Sequence, residues 1–497
     1  MKNRDIRNSG YADMSFTTFL FFGFFLGVLV LYYLLPHRLR KLLLLAASYV
    51  FYMWSAPALG AVLLGTTLLS YGAAFLIDPK KRSGRSRAWI LGACCLIHFG
   101  LLFVCKYLQM TLDLAHWLLP SIVPQKTVHL LLPVGISFFT FAVTGYLFDV
   151  YRGKYPVERN FLDYAVFVAF FPCVLAGPIG QARSFLPQLK QRVPFRSESV
   201  KAGVLRFVFG LFQKLVLADN IGAMVNAAYG GTVISPVTWV AVILLYSLQI
   251  YFDFCGYSHM AIGLATALGF RVTENFNAPY YSTSVTSFWK KWHISLTSWF
   301  REYLYFPMGG SRKGNLRTYF NILVVFAVSG LWHGAAVHYV LWGALNGVFQ
   351  VLERMTAAPR NRLEARCRGG ARKLIYGLVF GAGTYVLVSL TWLLFRVENL
   401  GQLQYVAGQI LGLFRTGLGP LQLRALGLND QLRTVLLLSL ALCSVVDALW
   451  MRGKRMQRLS RSVLPFYAVV CALILVTAVY GVYGEGFNAQ EFVYFKY

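Results

Sequence analysis

Two histidines set among tryptophans and small apolar residues are the side chains of this sequence best suited to chemistry. Both lie in the stretch 287–339, SFWKKWHISLTSWFREYLYFPMGGSRKGNLRTYFNILVVFAVSGLWHGAAVHY. His333 sits in an apolar run between Trp332 and Gly334, with Ser329, Gly330, Ala335 and Ala336 nearby. Lipid disfavours a titratable ring at such a position, which makes it a functional candidate by default. A buried imidazole tends to stay neutral, and a neutral imidazole can take a proton from a hydroxyl or thiol as general base. The small neighbours admit either a substrate or a second helix. A helix–helix hydrogen bond without chemistry is therefore the competing reading.

His293 belongs to a different pattern. Trp289, Trp292, Leu296, Trp299 and Tyr303 recur at steps of three to four residues, which predicts a helix over 289–304 with one apolar stripe. Lys290, Lys291 and Arg301 lie off that stripe. A helix in the membrane interface, with its indoles at headgroup depth, fits the pattern. His293 is then either an incidental member of an anchor or part of a site. Asp253 has three readings: it orients an imidazole, binds a cation or pairs with an arginine. Asn275, with Glu274 and Asn277, precedes the tryptophan-rich helix and either caps it or lines a cavity. Arg312 and Lys313, in the turn GGSRKG, either receive phosphates or form a solvated basic loop. Trp289, Trp292, Trp332, Asp253, Asn275, Arg312 and Lys313 make up the candidate substrate-binding set. His37, His98, His116, His129 and His338 read as interfacial or structural. The C-terminal EFVYFKY carries Tyr494 and Tyr497, read as interfacial anchors or, more sharply, as carriers of an acyl group in transit.

The surroundings of these residues are membranous. Of 497 residues, 57% are hydrophobic and 13% charged, against roughly 25% charged in soluble domains. Apolar runs of about 20 residues recur from end to end, each long enough to cross a bilayer as a helix. All-α spans follow, because barrel strands would alternate apolar and polar residues. The net charge of +28 falls in short loops between the runs. It reads as a topology signal, with attraction of anionic lipid or an anionic donor as a second effect, and not as nucleic-acid binding. The eight cysteines show neither metal-ligand spacing nor a disulfide framework. No metal site is expected. No cleavable signal peptide is evident, and Met14 is a second candidate start.

Along the chain, residues 1–15 read as an N-terminal extension, 16–483 as a single transmembrane domain and 484–497 as an extracytoplasmic tail. Leu42–Ile77, broken at Pro57, predicts a hairpin. The run 161–186, interrupted by Pro172, Gly177, Pro178 and Gly180, predicts a broken or re-entrant helix buried in protein. Val237–Phe252 reads as one span, and 251–270 as a separate partial or tilted helix. The count comes to about 11–12 crossings. No internal repeat is visible, which argues against many transporter architectures.

The paired histidine segments, SFWKKWHISLTSWFREYLYFPMGGSRKG and SGLWHGAAVHYVLWG, resemble the membrane-bound O-acyltransferase superfamily. More narrowly, they resemble its bacterial branch that O-acetylates alginate or transfers D-alanine to teichoic acids. LLPVGISFFTF (131–141), FFPCVLAGPIG (170–180) and LQIYFDFCGYSHMAIGLA (248–265) extend the resemblance, whose core is 248–347. The resemblance implies a ring of membrane helices, with re-entrant and interfacial helices, around a central tunnel. It implies that His333 matches the catalytic histidine and His293 the second motif histidine. No bound cofactor is implied; acetyl-CoA, or another acyl thioester, would be the cytoplasmic donor. A polysaccharide outside the cell would be the acceptor, of alginate, cellulose or peptidoglycan type. A separate SGNH-type esterase-like protein would be the partner, and the bacterial cytoplasmic membrane the location. D-alanyl transfer from a carrier protein to teichoic acid is the alternative within the branch. A transporter or flippase without covalent chemistry, and a scaffold that only recruits the partner, are the alternatives outside it.

Overall fold

The computed structural model describes residues 14–54, 56–80, 84–124, 127–128, 133–232, 235–367, 369–451 and 462–483. The expectations for residues 1–13, His129, Tyr494 and Tyr497 fall outside these. All regular structure among the described residues is helical. Six helices are long and apolar enough to cross a membrane: Leu59–Leu76, Arg85–Leu118, Pro236–Ala267, Gly370–Arg396, Asp430–Met451 and Val463–Tyr480. Phe19–Leu34 and Ile136–Tyr151 are apolar but shorter. The protein is thus an all-α, multi-pass membrane protein. The other apolar runs counted as crossings form helices that are shorter, broken or more polar.

The chain forms two compact units. The first contains residues up to Phe207 and Met260–Thr273. Its helices His37–Met53 and Leu59–Leu76 make the expected hairpin, turning at Pro57. The run after Arg159 is broken as expected, into Phe161–Ala169, Phe171–Val174 and Ala182–Leu189. Asn160 Oδ1 caps the first piece by accepting from the Leu162 amide at 2.9 Å. The Phe171 amide, freed by the break, donates to Ser48 Oγ at 3.1 Å. Irregular backbone is tolerated at membrane depth only when protein satisfies it in this way. Basic residues here do more than mark topology. Arg87 donates to the carbonyls of Ile77 at 2.9 Å and Tyr151 at 2.6 Å, at the ends of two helices. A cation there satisfies orphan carbonyls and opposes the helix dipole.

The second unit contains Val208–His259 and Glu274 onward. Two expectations for residues 236–305 are corrected. The segments 237–252 and 251–270 are one helix, Pro236–Ala267, of 32 residues, about 50 Å long. Gly256 does not interrupt it; a Cβ there would stand 2.7 Å from the Gly210 carbonyl, so the glycine serves a close approach of backbones. The stretch 289–304 is not one interfacial helix either. It divides into Val285–Trp289, Ile294–Phe300 and a π-helical turn, Arg301–Tyr305. The break falls at His293, whose φ of 44° and ψ of 55° are left-handed. Trp289, Trp292 and Trp299 are 8%, 1% and 8% exposed. They are buried in protein: Trp289 packs on Phe326 and Trp342, and Trp292 on Trp392, all from other helices.

Among the described residues, helices Gly314–His333 and Val337–Met355 are the most extensively packed pair. Only Gly334, Ala335 and Ala336 separate them. A Cβ at Gly330 would fall on the Tyr339 carbonyl, and one at Gly343 on the Phe326 carbonyl. These backbone atoms cannot step aside as a flexible side chain could. Gly330→Ala and Gly343→Ala are each expected to destabilise the detergent-solubilised protein by about 1–3 kcal/mol in thermal unfolding. Gly377, with nothing within 4 Å of a Cβ, is the control. Gly377→Ala is expected to be neutral or to stabilise by up to about 1 kcal/mol.

Candidate active site

His333 is the last residue of its helix, and Gly334 leaves in extended conformation. The reversal that follows brings the second helix of the pair back past the imidazole. Trp342, from that helix, stands 5.2 Å from the His333 ring, edge-on. Trp332 lies at 4.8 Å and Phe395, from helix Gly370–Arg396, at 5.0 Å. This aromatic collar leaves His333 4% exposed. His338 Nδ1 lies 2.7 Å from the Leu394 carbonyl. A carbonyl only accepts, so Nδ1 carries the proton, and the bond fixes the backbone beside Phe395. His338 is structural, as its sequence context suggests.

His293 reaches the same neighbourhood from the other motif. Its ring is 2% exposed. It stands edge-on to Phe254 at 4.6 Å and 6.0 Å from Trp332. Trp332 therefore touches both histidines. Burial pushes the His293 imidazole down to about 3, so the ring is uncharged at neutral pH. Trp289 and Trp292 extend the collar: Trp289 meets Trp342 at 5.5 Å, and Trp292 meets Trp392 at 5.0 Å. Four of the residues singled out as candidates, His293, His333, Trp289 and Trp332, and a fifth, Trp292, thus share one aromatic cluster.

A histidine is a poor helix N-cap, and the His293 side chain caps nothing at the start of Ile294–Phe300. Asn275 takes over this task from another part of the chain. Its carbonyl accepts from the Ile294 amide at 2.9 Å. Its Oδ1 accepts from the Ser295 hydroxyl at 2.7 Å and from the Ser295 amide at 3.4 Å. Its Nδ2 donates to Ser258 Oγ on the long helix at 3.1 Å. Of the two readings of Asn275, capping is the one observed. Glu353 does the same for the preceding short helix, accepting from the Thr286 amide at 2.6 Å and hydroxyl at 2.7 Å. Arg360 pairs with that carboxylate. Sequence spacing has no signal for Glu353, which acts on residues far away in the chain.

The remaining candidates lie elsewhere. Asp253 Oδ1 is 2.7 Å from Lys214 Nζ, which also reaches Asp219 Oδ1 at 2.6 Å. All three residues are buried, and the partner is a lysine rather than the arginine considered from sequence. Lys214 sits in the apolar run VFGLFQKLVLADN. An ionisable residue in such a run needs a buried counter-charge, and this signal was available before the fold. Arg312 and Lys313 are exposed, on the turn that opens the helix ending at His333. The helix between has 20 residues, about 30 Å, so the basic turn and His333 do not share one constellation.

A family model described as MBOAT, membrane-bound O-acyltransferase family, matches residues 158–369. This interval includes both histidines and Asn275. Among curated relatives, a "Probable alginate O-acetylase AlgI" of Pseudomonas putida is 38% identical over 79% of this chain and 78% of its own. A peptidoglycan O-acetyltransferase of Helicobacter pylori is 33% identical over 75% of this chain and 74% of its own. A teichoic acid D-alanyltransferase of Streptococcus thermophilus is 28% identical over 55% of this chain and 66% of its own.

The buried His293 has a consequence for acid stability. Its folded value near 3 lies below the roughly 6.5 of an unfolded histidine. Between these values the unfolded chain binds the extra proton. The stabilising contribution is therefore complete above about pH 6.5 and is lost as pH falls towards 3, by up to about 1.4 kcal/mol per pH unit. Unfolding in detergent at pH 4.5 and 6.5 should show a smaller acid loss for His293→Asn than for the unsubstituted protein.

Proposed function

The chain belongs to the membrane-bound O-acyltransferase family and is an O-acyltransferase, and from that premise we propose that it moves an acetyl group from cytoplasmic acetyl-CoA to a hydroxyl of an extracytoplasmic polysaccharide, with His333 as general base. The observation that carries this reading is the meeting of both motif histidines on one indole, Trp332. Relatives named as acetylating alginate and peptidoglycan match more of this chain, at higher identity, than those named for D-alanyl transfer. This favours acetyl over D-alanyl and a glycan acceptor over a teichoic acid.

In the proposed step an uncharged His333 takes the proton of the acceptor hydroxyl. The oxygen attacks the thioester carbonyl and forms the new C–O bond. The tetrahedral intermediate then breaks its C–S bond, and the departing thiolate takes the proton from the imidazolium. His293, uncharged at neutral pH, orients donor or acceptor rather than carrying a proton. His333 is only 4% exposed, so in this reading the entering thioester displaces part of the aromatic collar. The bacterial cytoplasmic membrane is the location this chemistry requires, with the donor inside and the glycan outside. Where the immediate acceptor hydroxyl is a serine of an SGNH-type esterase-like partner, that partner completes transfer to the polymer.

Purified protein incubated with labelled acetyl-CoA tests the proposal. His333→Ala should lower thioester turnover by about 100- to 10,000-fold while the thermal unfolding midpoint stays within a few degrees. Undiminished turnover in that variant, at matched protein amounts, would remove His333 as the base. Passage of an intact solute into liposomes without thioester turnover would instead select a transporter.

A further inference from the structure

His293 holds an unusual conformation. Among the described residues, only it and Ala278 combine a side chain with a positive φ. A left-handed backbone at a residue other than glycine or asparagine is unfavourable and persists only where surrounding contacts impose it. Those contacts are on the page, and they converge on Asn275.

We infer that Asn275 is the positioning residue of His293, holding its imidazole in place through the Ser258–Asn275–Ser295 hydrogen-bond chain rather than by touching substrate. The segment 275–277 runs alongside 291–294: Ile294 donates to the Asn275 carbonyl at 2.9 Å, and Asn277 donates to the Lys291 carbonyl at 3.1 Å. The two backbone bonds bracket His293. The Asn275 side chain then locks the far side by accepting from Ser295 and donating to Ser258. Asn275 is fully buried, and these partners occupy both ends of its amide. Ser258 and Phe254 lie one turn apart on the long helix. The helix that anchors the amide therefore also presents the ring on which His293 packs, 4.6 Å away. Phe276, next to Asn275, packs on the same Phe254 at 5.0 Å and on Trp292 at 5.0 Å. Asn275 thus sets both the backbone and the depth of the histidine. An aspartate in its place would keep the acceptor for Ser295 but lose the donor to Ser258 and bury a charge. An alanine would keep the backbone bond to Ile294 but lose the side-chain bonds to Ser295 and Ser258.

The inference rests on the proposed role of His293, so the experiment separates the two. Thioester turnover, kcat and KM are measured for Asn275→Ala, Ser295→Ala, His293→Asn and the double variant Asn275→Ala with His293→Asn. Asparagine tolerates the left-handed backbone, so His293→Asn removes the imidazole while sparing the fold. Asn275→Ala is expected to lower kcat about 10- to 100-fold, as small misplacements of an orienting group do, with Ser295→Ala intermediate. In the His293→Asn background, Asn275→Ala is expected to change kcat less than twofold. An equal loss in both backgrounds, or normal kcat in Asn275→Ala, would overturn the inference. Normal kcat in His293→Asn would instead sink the role of His293. If Asn275→Ala fails to fold, Ser295→Ala and its double variant with His293→Asn decide on the same terms.

Discussion

A polar group buried among apolar side chains has to be satisfied by protein, because little water reaches it. This constraint explains more of the structure than any single apolar contact. The break at His293 exposes helix-start amides, and Asn275 accepts from two of them. The break after Ala169 frees the Phe171 amide, and Ser48 accepts it. Lys214 enters an apolar run and meets two aspartates, Asp219 and Asp253. In hydrocarbon an unsatisfied group costs several kcal/mol. At these three places a group from elsewhere in the chain meets the polar atom that would otherwise lack a partner.

The proposed chemistry depends on this economy of partners. A buried imidazole among uncharged rings tends to stay neutral and able to accept a proton. Tryptophan and phenylalanine surround both histidines; Asn275 holds the backbone after His293, and the glycine-lined helix pair sets the position of His333. Gly330 and Gly343 let the two helices touch backbone to backbone. That contact brings Trp342 against the ring of His333. Packing at the glycines and the placement of His333 thus belong to the same end of one helix pair.

Much of this is legible in the sequence. Long apolar runs, loop arginines and prolines at 57, 172 and 178 mark the all-α membrane fold, the hairpin and the broken helix. His333 stands out because a titratable residue in an apolar run is rare. The break at His293 is not legible, because Trp289, Trp292, Leu296 and Trp299 keep helical spacing straight through it. The compensation lies in Asn275 and Ser258, on segments that periodicity treats separately. The continuity of Pro236–Ala267 is hidden for a similar reason. Polar residues fall inside it, but Asp253 pairs with Lys214 and His259 stacks on Trp450 at 5.4 Å. Local pattern reports which face is apolar; it does not report which distant side chain satisfies a break.

The central claim is that the acyl group reacts at His333, inside the aromatic collar. A structure of the protein with a non-hydrolysable acetyl thioester bound tests it most directly. The account predicts a thioester carbonyl within about 3–4 Å of the His333 imidazole, with Trp332, Trp342 or Phe395 moved aside. A thioester seated at the Arg312–Lys313 turn, a helix length from an unchanged collar, would contradict it.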